Sequence, residues 1–232
     1  MIVHRPAAER GVTRASWLDS RHSFSFNRYY DPKWMGFQTL RVINDDDVAP
    51  AGGFGTHPHQ DMEIVTWVLN GVLKHRDSTG SAGEIRPGEA QRMSAGTGIF
   101  HSEFNGSTTE PVRLLQIWIE PAELGVAPGY EQKQFPEDAR RNRLSVIASA
   151  DGRDGSVTIG QDAAIYDSLL DAGAAVEHPL AAGRSAWVQV ATGAVSVNGL
   201  TLEQGDGAAL SDETAVRIVA QKPSEILLFD LK

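Results

Sequence analysis

Two short runs in this chain set metal-capable donors at alternate residues: His57-Pro58-His59 and, further along, His101-Ser102-Glu103. On an extended strand, residues two apart point to the same side, so each run can present both of its donors to one ion. Glu63 shares the face of the first pair if that strand stays regular. Facing each other across a small barrel, the two pairs would give three imidazole nitrogens and one or two carboxylate oxygens. Iron, copper, nickel, manganese and zinc accept such a set. Sites that demand thiolates are closed to a chain with no cysteine. Spacing alone does not choose between Glu63 and Glu103. Each pair is approached through a glycine-punctuated strand, Gly52-Gly53-Phe54-Gly55-Thr56 before the first and Met93-Ser94-Ala95-Gly96-Thr97-Gly98-Ile99-Phe100 before the second, which raises the His-x-His above an ordinary surface pair. The other polar candidates read as structural. Asp61, beside a turn, is expected to be solvated, His75 to be a strand-end residue satisfied by a hydrogen bond, and His4 and His22 to be structural. The second half holds only His178. Phe24, Phe26, Tyr29, Tyr30 and Trp34 form an aromatic cluster expected to pack the outside of a barrel, although a planar ligand could use the same rings.

Such donors need strands to carry them. Among the 232 residues are 23 glycines and 11 prolines, and the stretches between them are short and rich in Val, Ile, Thr and aromatics. That is the pattern of strands joined by tight turns, so the expected class is all-β. Ile64–Leu69, Asn70-Gly71 and Val72–His75 read as a hairpin, because Asn and Gly tolerate the positive φ of a type I′ turn. A weak repeat is also legible. Trp67, Gly71 and Arg86-Pro87-Gly88-Glu89 in the first half are echoed by Trp187, Gly193 and Gln204-Gly205-Asp206-Gly207 in the second. The strand pattern lapses across residues 121–130, and Pro136 to Arg140 reads as a helical turn begun by proline. We therefore expect a linker at 126–142 between domains at 1–125 and 143–232. Tyr166 to Ala172 is compatible with a short helical turn.

Lys and Arg number 21 against 30 Asp and Glu, a formal charge of −9. That balance repels phosphate. Basic residues are scattered outside Arg140-Arg141-Asn142-Arg143, so nucleic acid is not an expected partner. No apolar run approaches the roughly 18–20 residues of a spanning helix, which argues against a membrane protein. The N-terminal residues lack the apolar block of a signal peptide, and the absence of cysteine fits a reducing compartment, so a cytoplasmic location is expected.

Gly55-x-His57-Pro58-His59-x3-Glu63 resembles the first conserved box of the cupin superfamily, and Pro87-Gly88 followed by Gly98-x2-His101-x3-Asn105 resembles the second. More narrowly, the chain is similar to the pirin family over nearly its whole length. The stretches that carry the similarity are Trp17 to Phe26, Leu40 to Asp46, Gly53 to His59, Met93 to Glu103 and Gln116-Ile117-Trp118. The resemblance implies a bicupin, two tandem β-barrels with minor short helices. It implies metal ligands His57, His59, His101 and Glu103, and so favours Glu103 over Glu63. Where a second set of boxes would stand, Ala186-Trp187-Val188-Gln189 and Gly207-Ala208-Ala209-Leu210 offer no ligand. One divalent transition metal per chain is expected, iron first, with copper, nickel, manganese, cobalt or zinc as alternatives.

Some pirin-family proteins resemble quercetin 2,3-dioxygenases, which open the central ring of a flavonol with dioxygen and release carbon monoxide. The resemblance thus implies a metal-dependent dioxygenase, an oxidoreductase whose substrates are a small planar flavonol and O2. In that chemistry Glu103 would be both ligand and catalytic base, taking the proton of the 3-hydroxyl. Glu63 would be an outer partner orienting a histidine. The pocket is expected to be an apolar barrel mouth lined by Phe54, Met62, Met93, Ile99 and Phe104. The family also implies a rival, a non-enzymatic redox-sensing regulator whose metal state alters a surface for a protein partner. The net charge and the lack of a basic tail favour the enzyme.

Overall fold

The strand-forming runs of the first half carry different chemistry on their two faces. Between Val112 and Ile119, Leu115, Ile117 and Ile119 alternate with Leu114, Gln116 and Trp118. A strand sends those two sets to opposite sides. The computed structural model describes residues 1–232 and is 57% strand and 4% helix, so segments of this kind make up most of it. The first half contains β1 (Ile2–Arg5), β2 (Gly11–Ala15), β3 (Leu18–His22), β4 (Leu40–Val48), β5 (Gly53–His59) and β6 (Glu63–Asn70). It continues through β7 (Leu73–Asp77), β8 (Ala82–Ile85), β9 (Glu89–Ser94), β10 (Ile99–Asn105), β11 (Val112–Ile119) and β12 (Gly129–Gln134). Pro136 then begins the short helix α1 (Glu137–Arg140), as the sequence predicts. The second half holds β13 (Ser145–Ser149), β14 (Val157–Thr158), β15 (Ala163–Leu170), β16 (Ala175–Pro179), β17 (Ser185–Thr192) and β18 (Ala194–Val197). It ends with β19 (Leu200–Glu203), β20 (Gly207–Leu210), β21 (Ala215–Ala220) and β22 (Ser224–Leu231).

These strands form two barrels of the same plan. A seven-stranded sheet, β12-β9-β6-β11-β4-β3-β2, combines with the four-stranded β5-β10-β7-β8. The second barrel repeats this as β1-β20-β17-β22-β15-β13-β14 with β16-β21-β18-β19. The repeat seen in the sequence therefore holds strand by strand, with Trp67 on β6 and Trp187 on β17 in equivalent central places.

The edge strands are exchanged between the barrels. β1 pairs with β20 of the second barrel, from Ile2 opposite Leu210 to Arg5 opposite Gly207. β12 pairs with β9 of the first, from Gly129 opposite Ser94 to Gln134 opposite Glu89. Residues 2–5, expected within the first domain, thus complete the second barrel, and 129–134, expected as linker, complete the first. Each covers an open sheet edge whose N–H and C=O groups need partners.

Two local expectations also change. Asn70-Gly71 joins β6 to β7, which lie in different sheets, so it turns a corner of the barrel and does not close a hairpin. Gly71 has φ 82°, and a Cβ there would lie 2.7 Å from the Pro111 carbonyl oxygen. The two-residue hairpin is made by the other Asn-Gly, Asn198 (φ 47°) and Gly199 (φ 90°), between β18 and β19. Tyr166 to Ala172 is not helical. Most of it lies in β15, which is hydrogen-bonded on both sides, to β22 and β13.

The barrels pack back to back. Ile43, Val65, Trp67, Leu115 and Ile117 from the outer face of the first large sheet form one buried cluster with Ile147, Ile165, Trp187, Leu227 and Phe229 of the second. Of the aromatic cluster, Phe24 and Trp34 belong to this seam, while Phe26 packs edge-on against Trp118 of β11. Phe24 and Trp34 lie 4.8 and 6.0 Å from the Trp187 ring, Arg5 sits 4.9 Å over Trp34, and Tyr30 alone of the five is fully exposed. The two interiors differ. The second is filled by Val188, Val190, Val197, Ile218, Ile226 and Leu228. The first carries Ser20, Asn44, Asp46, Thr66, Gln91 and Gln116, all buried. No helix is long and apolar enough to cross a membrane.

Because Trp187 is fully buried in the seam, Trp187→Ala is expected to cost about 3–5 kcal/mol. At roughly 2–4 °C per kcal/mol for a chain this long, calorimetry should show a melting point lower by about 10 °C. A shift below about 2 °C would mean that the seam contributes little.

Candidate metal centre

β5 and β10 are antiparallel neighbours, with His57 opposite His101 and His59 opposite Ile99. Pro58 is tolerated because β5 is the edge of its sheet, where a missing N–H costs no ladder bond. A bulge shifts the register here, its extra residue lying on β5 between Phe54 and His57, while β10 pairs regularly with β7 and so keeps His101 and Glu103 on one face. Strand period and cross-strand pairing thus bring the donors together from two distant stretches of sequence.

Ligand atoms of His57, His59 and His101 all lie within 4.8 Å of one another. His57 Nε2 and His101 Nε2 are 3.0 Å apart. His57 Nδ1 donates to the Gly55 carbonyl at 2.8 Å, which leaves the lone pair on Nε2, the tautomer a metal ligand needs. Burial and the neighbouring imidazoles hold His59 down to about 4 and His101 down to about 2. Both rings are therefore neutral donors at pH 7. His101 Nδ1 is buried with no hydrogen-bond partner. Three crowded imidazoles, with the lone pair of His57 Nε2 turned toward the others, suit a cation, and borderline divalent metals prefer this donor type.

Glu103 is buried, accepts a hydrogen bond from Gln116 Nε2 at 2.9 Å, and has Thr66 Oγ1 3.4 Å away. Thr66 in turn donates to Gln116 Oε1 at 2.7 Å, fixing the amide. Burial pushes the Glu103 carboxyl up to about 7 despite these contacts. Its ligand atom lies within 4.8 Å of those of His101 and His75, and it borders the same cavity as His57 and His59. His101 therefore belongs to two donor groups, the three imidazoles and the fully buried set His75, His101 and Glu103.

His75 is satisfied by a hydrogen bond, as expected, donating from Nε2 to Asp77 Oδ2 at 3.0 Å. It is nonetheless part of the site's surroundings. Its ring lies 5.4 Å from that of His101 and stacks on Tyr130 of the exchanged strand β12 at 5.0 Å. His4 lies 3.0 Å from Asp206, and His22 bonds Thr13 and Asn44 at 2.8 and 2.7 Å, both structural roles as expected.

Glu63 does not orient a histidine. Asp61 takes a left-handed φ of 47° and ends the regularity that would have kept Glu63 on the ligand face. Glu63 instead starts β6 and accepts a hydrogen bond from Ser94 Oγ at 2.8 Å. Its Oε1 lies where a Cβ on Gly160, in the second half, would approach to 3.1 Å. Asp61 anchors a loop by accepting from the Gly125 N–H at 2.7 Å.

The donors open onto a cavity of about 680 Å³. His57, His59 and Glu103 border it from β5 and β10, Thr13, Ser20, His22, Asn44, Asp46 and Gln116 from the large sheet, and Trp17, Phe26, Phe54 and Trp118 add aromatic walls. Of the five apolar residues expected to line it, Phe54 does. Met62, Met93 and Ile99 belong to a separate core cluster. Phe104 has the opposite parity to His101 and Glu103 on β10, so it lies on the outside, 43% exposed. The wall is more polar than the sequence reading expects. The signal for it was a glutamine inside the apolar run of β11 and an Asn-Asp-Asp-Asp run inside β4, both unusual for strands buried between neighbours.

The Pirin family matches residues 4–119, and the quercetinase C-terminal cupin domain family matches 146–231. The quercetin 2,3-dioxygenase of Escherichia coli (strain K12) is 51% identical over 231 residues, covering 100% of this chain and 99% of that protein. A pirin-like protein of Caulobacter vibrioides is 41% identical, covering 99% of each. Among solved structures, E. coli YhhW superposes with a TM-score of 0.96 at 49% identity, covering 100% of this chain and 98% of that one. The nickel(II) complex of that bacterial pirin gives 0.94 at the same identity, covering 100% and 99%. By its matched sequence along the whole length and by its paired barrels, the chain belongs to the pirin family.

Proposed function

We propose that this chain is a metal-dependent dioxygenase that cleaves flavonols such as quercetin with O2 and releases carbon monoxide, using one divalent metal held by His57, His59, His101 and Glu103. The observation that carries this reading is the convergence of three imidazole donors, His59 and His101 held neutral, at the wall of a cavity large enough for a three-ring planar molecule. One E. coli relative supports it, a bacterial pirin that is named quercetin 2,3-dioxygenase and has been solved in complex with nickel(II). Iron is the ion we propose, since imidazole and carboxylate donors suit it.

When bound, the ion would supply a Lewis acid and a path for electrons from the flavonol to dioxygen. The protein's residues prepare the substrate for that chemistry. Glu103, a buried carboxylate beside the imidazole donors, is placed to accept the proton of the flavonol 3-hydroxyl. Gln116 and Thr66 hold its carboxylate in place. Trp118, edge-on to His59 at 4.9 Å, and the T-shaped pair Trp17 and Phe54, 5.0 Å apart, give flat apolar walls that exclude water from the rings.

Three outcomes are expected. Under anaerobic conditions the metal-loaded protein shifts the visible absorption of quercetin, and admitting oxygen bleaches it with release of carbon monoxide. Binding without carbon monoxide release would remove the dioxygenase. His57→Ala, His59→Ala and His101→Ala each lower bound metal roughly tenfold or more by elemental analysis, while Glu103→Gln keeps part of the metal but loses about 100-fold or more in turnover. Glu63→Gln is milder, and if it alone strips the metal the ligand set is wrong. The third outcome is a pH dependence. Below about 7 the metal-free Glu103 carboxyl holds a proton that must leave before it can coordinate, so affinity falls as pH drops from 7 toward 5. His59 and His101, at about 4 and 2, do not compete in that window. A chelator-competition titration should show this slope reduced in Glu103→Gln; an unchanged slope would exclude Glu103 as its source.

A further inference from the structure

Across the cavity from the imidazoles stands a carboxyl that neither the fold nor the proton transfer uses. Asp46 sits on β4, opposite Ser20 of β3 and Leu114 of β11, and is 3% exposed. The Ser20 hydroxyl bonds to it, yet its Oδ1 is buried with no hydrogen-bond partner. No cation pairs with it. The nearby cations, Arg10 and Arg113, are taken by the adjacent Asp45 at 3.3 and 2.9 Å. A buried carboxyl left so is costly, and stable folds pair or bond such groups. The buried Asp167 of β15 in the second barrel also has one oxygen without a partner, but it is ion-paired to Arg140, which Asp46 lacks. Asp46 instead borders the cavity beside Ser20 and Asn44. Asn44 uses its Oδ1 to accept from His22 Nδ1 at 2.7 Å, which leaves its amide NH2 as a spare donor. Burial, with Asp45 and Glu103 nearby, pushes the Asp46 carboxyl up to about 7, so near neutral pH it can accept or donate a hydrogen bond.

We propose that Asp46, with Ser20 and Asn44, forms a subsite for phenolic hydroxyls on the part of the substrate that lies against β3 and β4, and so selects polyhydroxylated flavonols over the bare 3-hydroxyflavone skeleton. The inference rests on the flavonol reading of the site. Oxygenation at the ring bearing the 3-hydroxyl needs only that ring held at the donors. A second polar anchor across the cavity fixes which end of the molecule enters first, and a hydroxyl placed there completes the bonding that Oδ1 lacks.

The test compares anaerobic binding of quercetin and 3-hydroxyflavone to the metal-loaded full chain, read by quenching of tryptophan fluorescence. Wild type is expected to bind quercetin about tenfold more tightly, the worth of one good hydrogen bond to a buried polar group. Asp46→Asn brings that ratio near unity and raises KM for quercetin more than it lowers kcat. Asn44→Ala, which leaves the carboxyl in place, moves the ratio in the same direction and serves if Asp46→Asn melts early. No preference in wild type, or equal losses on both flavonols in the variants, overturns the subsite while the flavonol reading stands. If wild type binds neither flavonol, that reading fails, and catechol alone decides the subsite by equilibrium dialysis. Binding that Asp46→Asn abolishes upholds it, and no binding overturns it.

Discussion

The constraint on which this structure turns is the meeting of imidazole lone pairs at one point of a cavity wall, two of the rings half-buried and the third buried. Two Nε2 atoms 3.0 Å apart, with the Nδ1 of one committed to the Gly55 carbonyl, leave a point of negative potential that protein atoms do not fill. Protonation would relieve it, but burial and the mutual repulsion of the rings hold His59 and His101 far below neutral pH. A multivalent cation relieves it without that penalty. The remainder of the first barrel reads as support for this arrangement. The edge strand β5 tolerates Pro58 and takes up the bulge, the regular β10 keeps Glu103 on the face of His101, and the Thr66–Gln116 pair holds the carboxylate.

A barrel with polar residues on part of its inner face keeps its apolar packing elsewhere. Here two smaller buried clusters, around Val68 and Leu114 and around Ile64 and Met93, flank the cavity, and a larger one lies outside it. The first large sheet turns its apolar face to the second barrel and shares one buried cluster with it, while the second barrel, of the same strand order, is filled with aliphatic side chains. The exchange of β1 and β12 strengthens this division. Each barrel's edge is closed by a strand that lies before the other barrel in sequence, so opening one barrel exposes an edge of its neighbour. The second barrel has lost its ligands and works as the wall against which a hollow site can be built.

How much of this could be read from the residues follows from the range over which each feature is encoded. The histidine pairs are legible because a strand's period of two is local and the donors lie within three residues of one another. Tandem barrels are legible because the Trp and Gly landmarks repeat. Glu63 misleads because a single left-handed residue, Asp61, undoes the parity on which its placement relied. Asn70-Gly71 misleads in the same way, since a turn sequence states that the chain reverses but not whether its flanking strands share a sheet. The strand exchange leaves no local mark at all. The cavity wall sits between these cases. Gln116 and the Asn44 to Asp47 run are visibly out of place in strands, but their common destination emerges only when β3, β4 and β11 are set in register.

That register carries a further consequence for how the site is tuned. Asp46 and Glu103 are both buried acids bordering one cavity, and burial is the main reason each carboxyl is pushed up, with Glu103 adding a smaller part at Asp46. A cation at the imidazoles would favour the ionised form of the carboxylate nearer to it, Glu103, and leave Asp46 as the member better able to keep its proton. The cavity would then have one acceptor beside the donors and one hydrogen-bonding acid across from them, a polarity along its length set by the ion and not by any fixed protein cation. The nearest arginines, bound to Asp45, are too committed to cancel it.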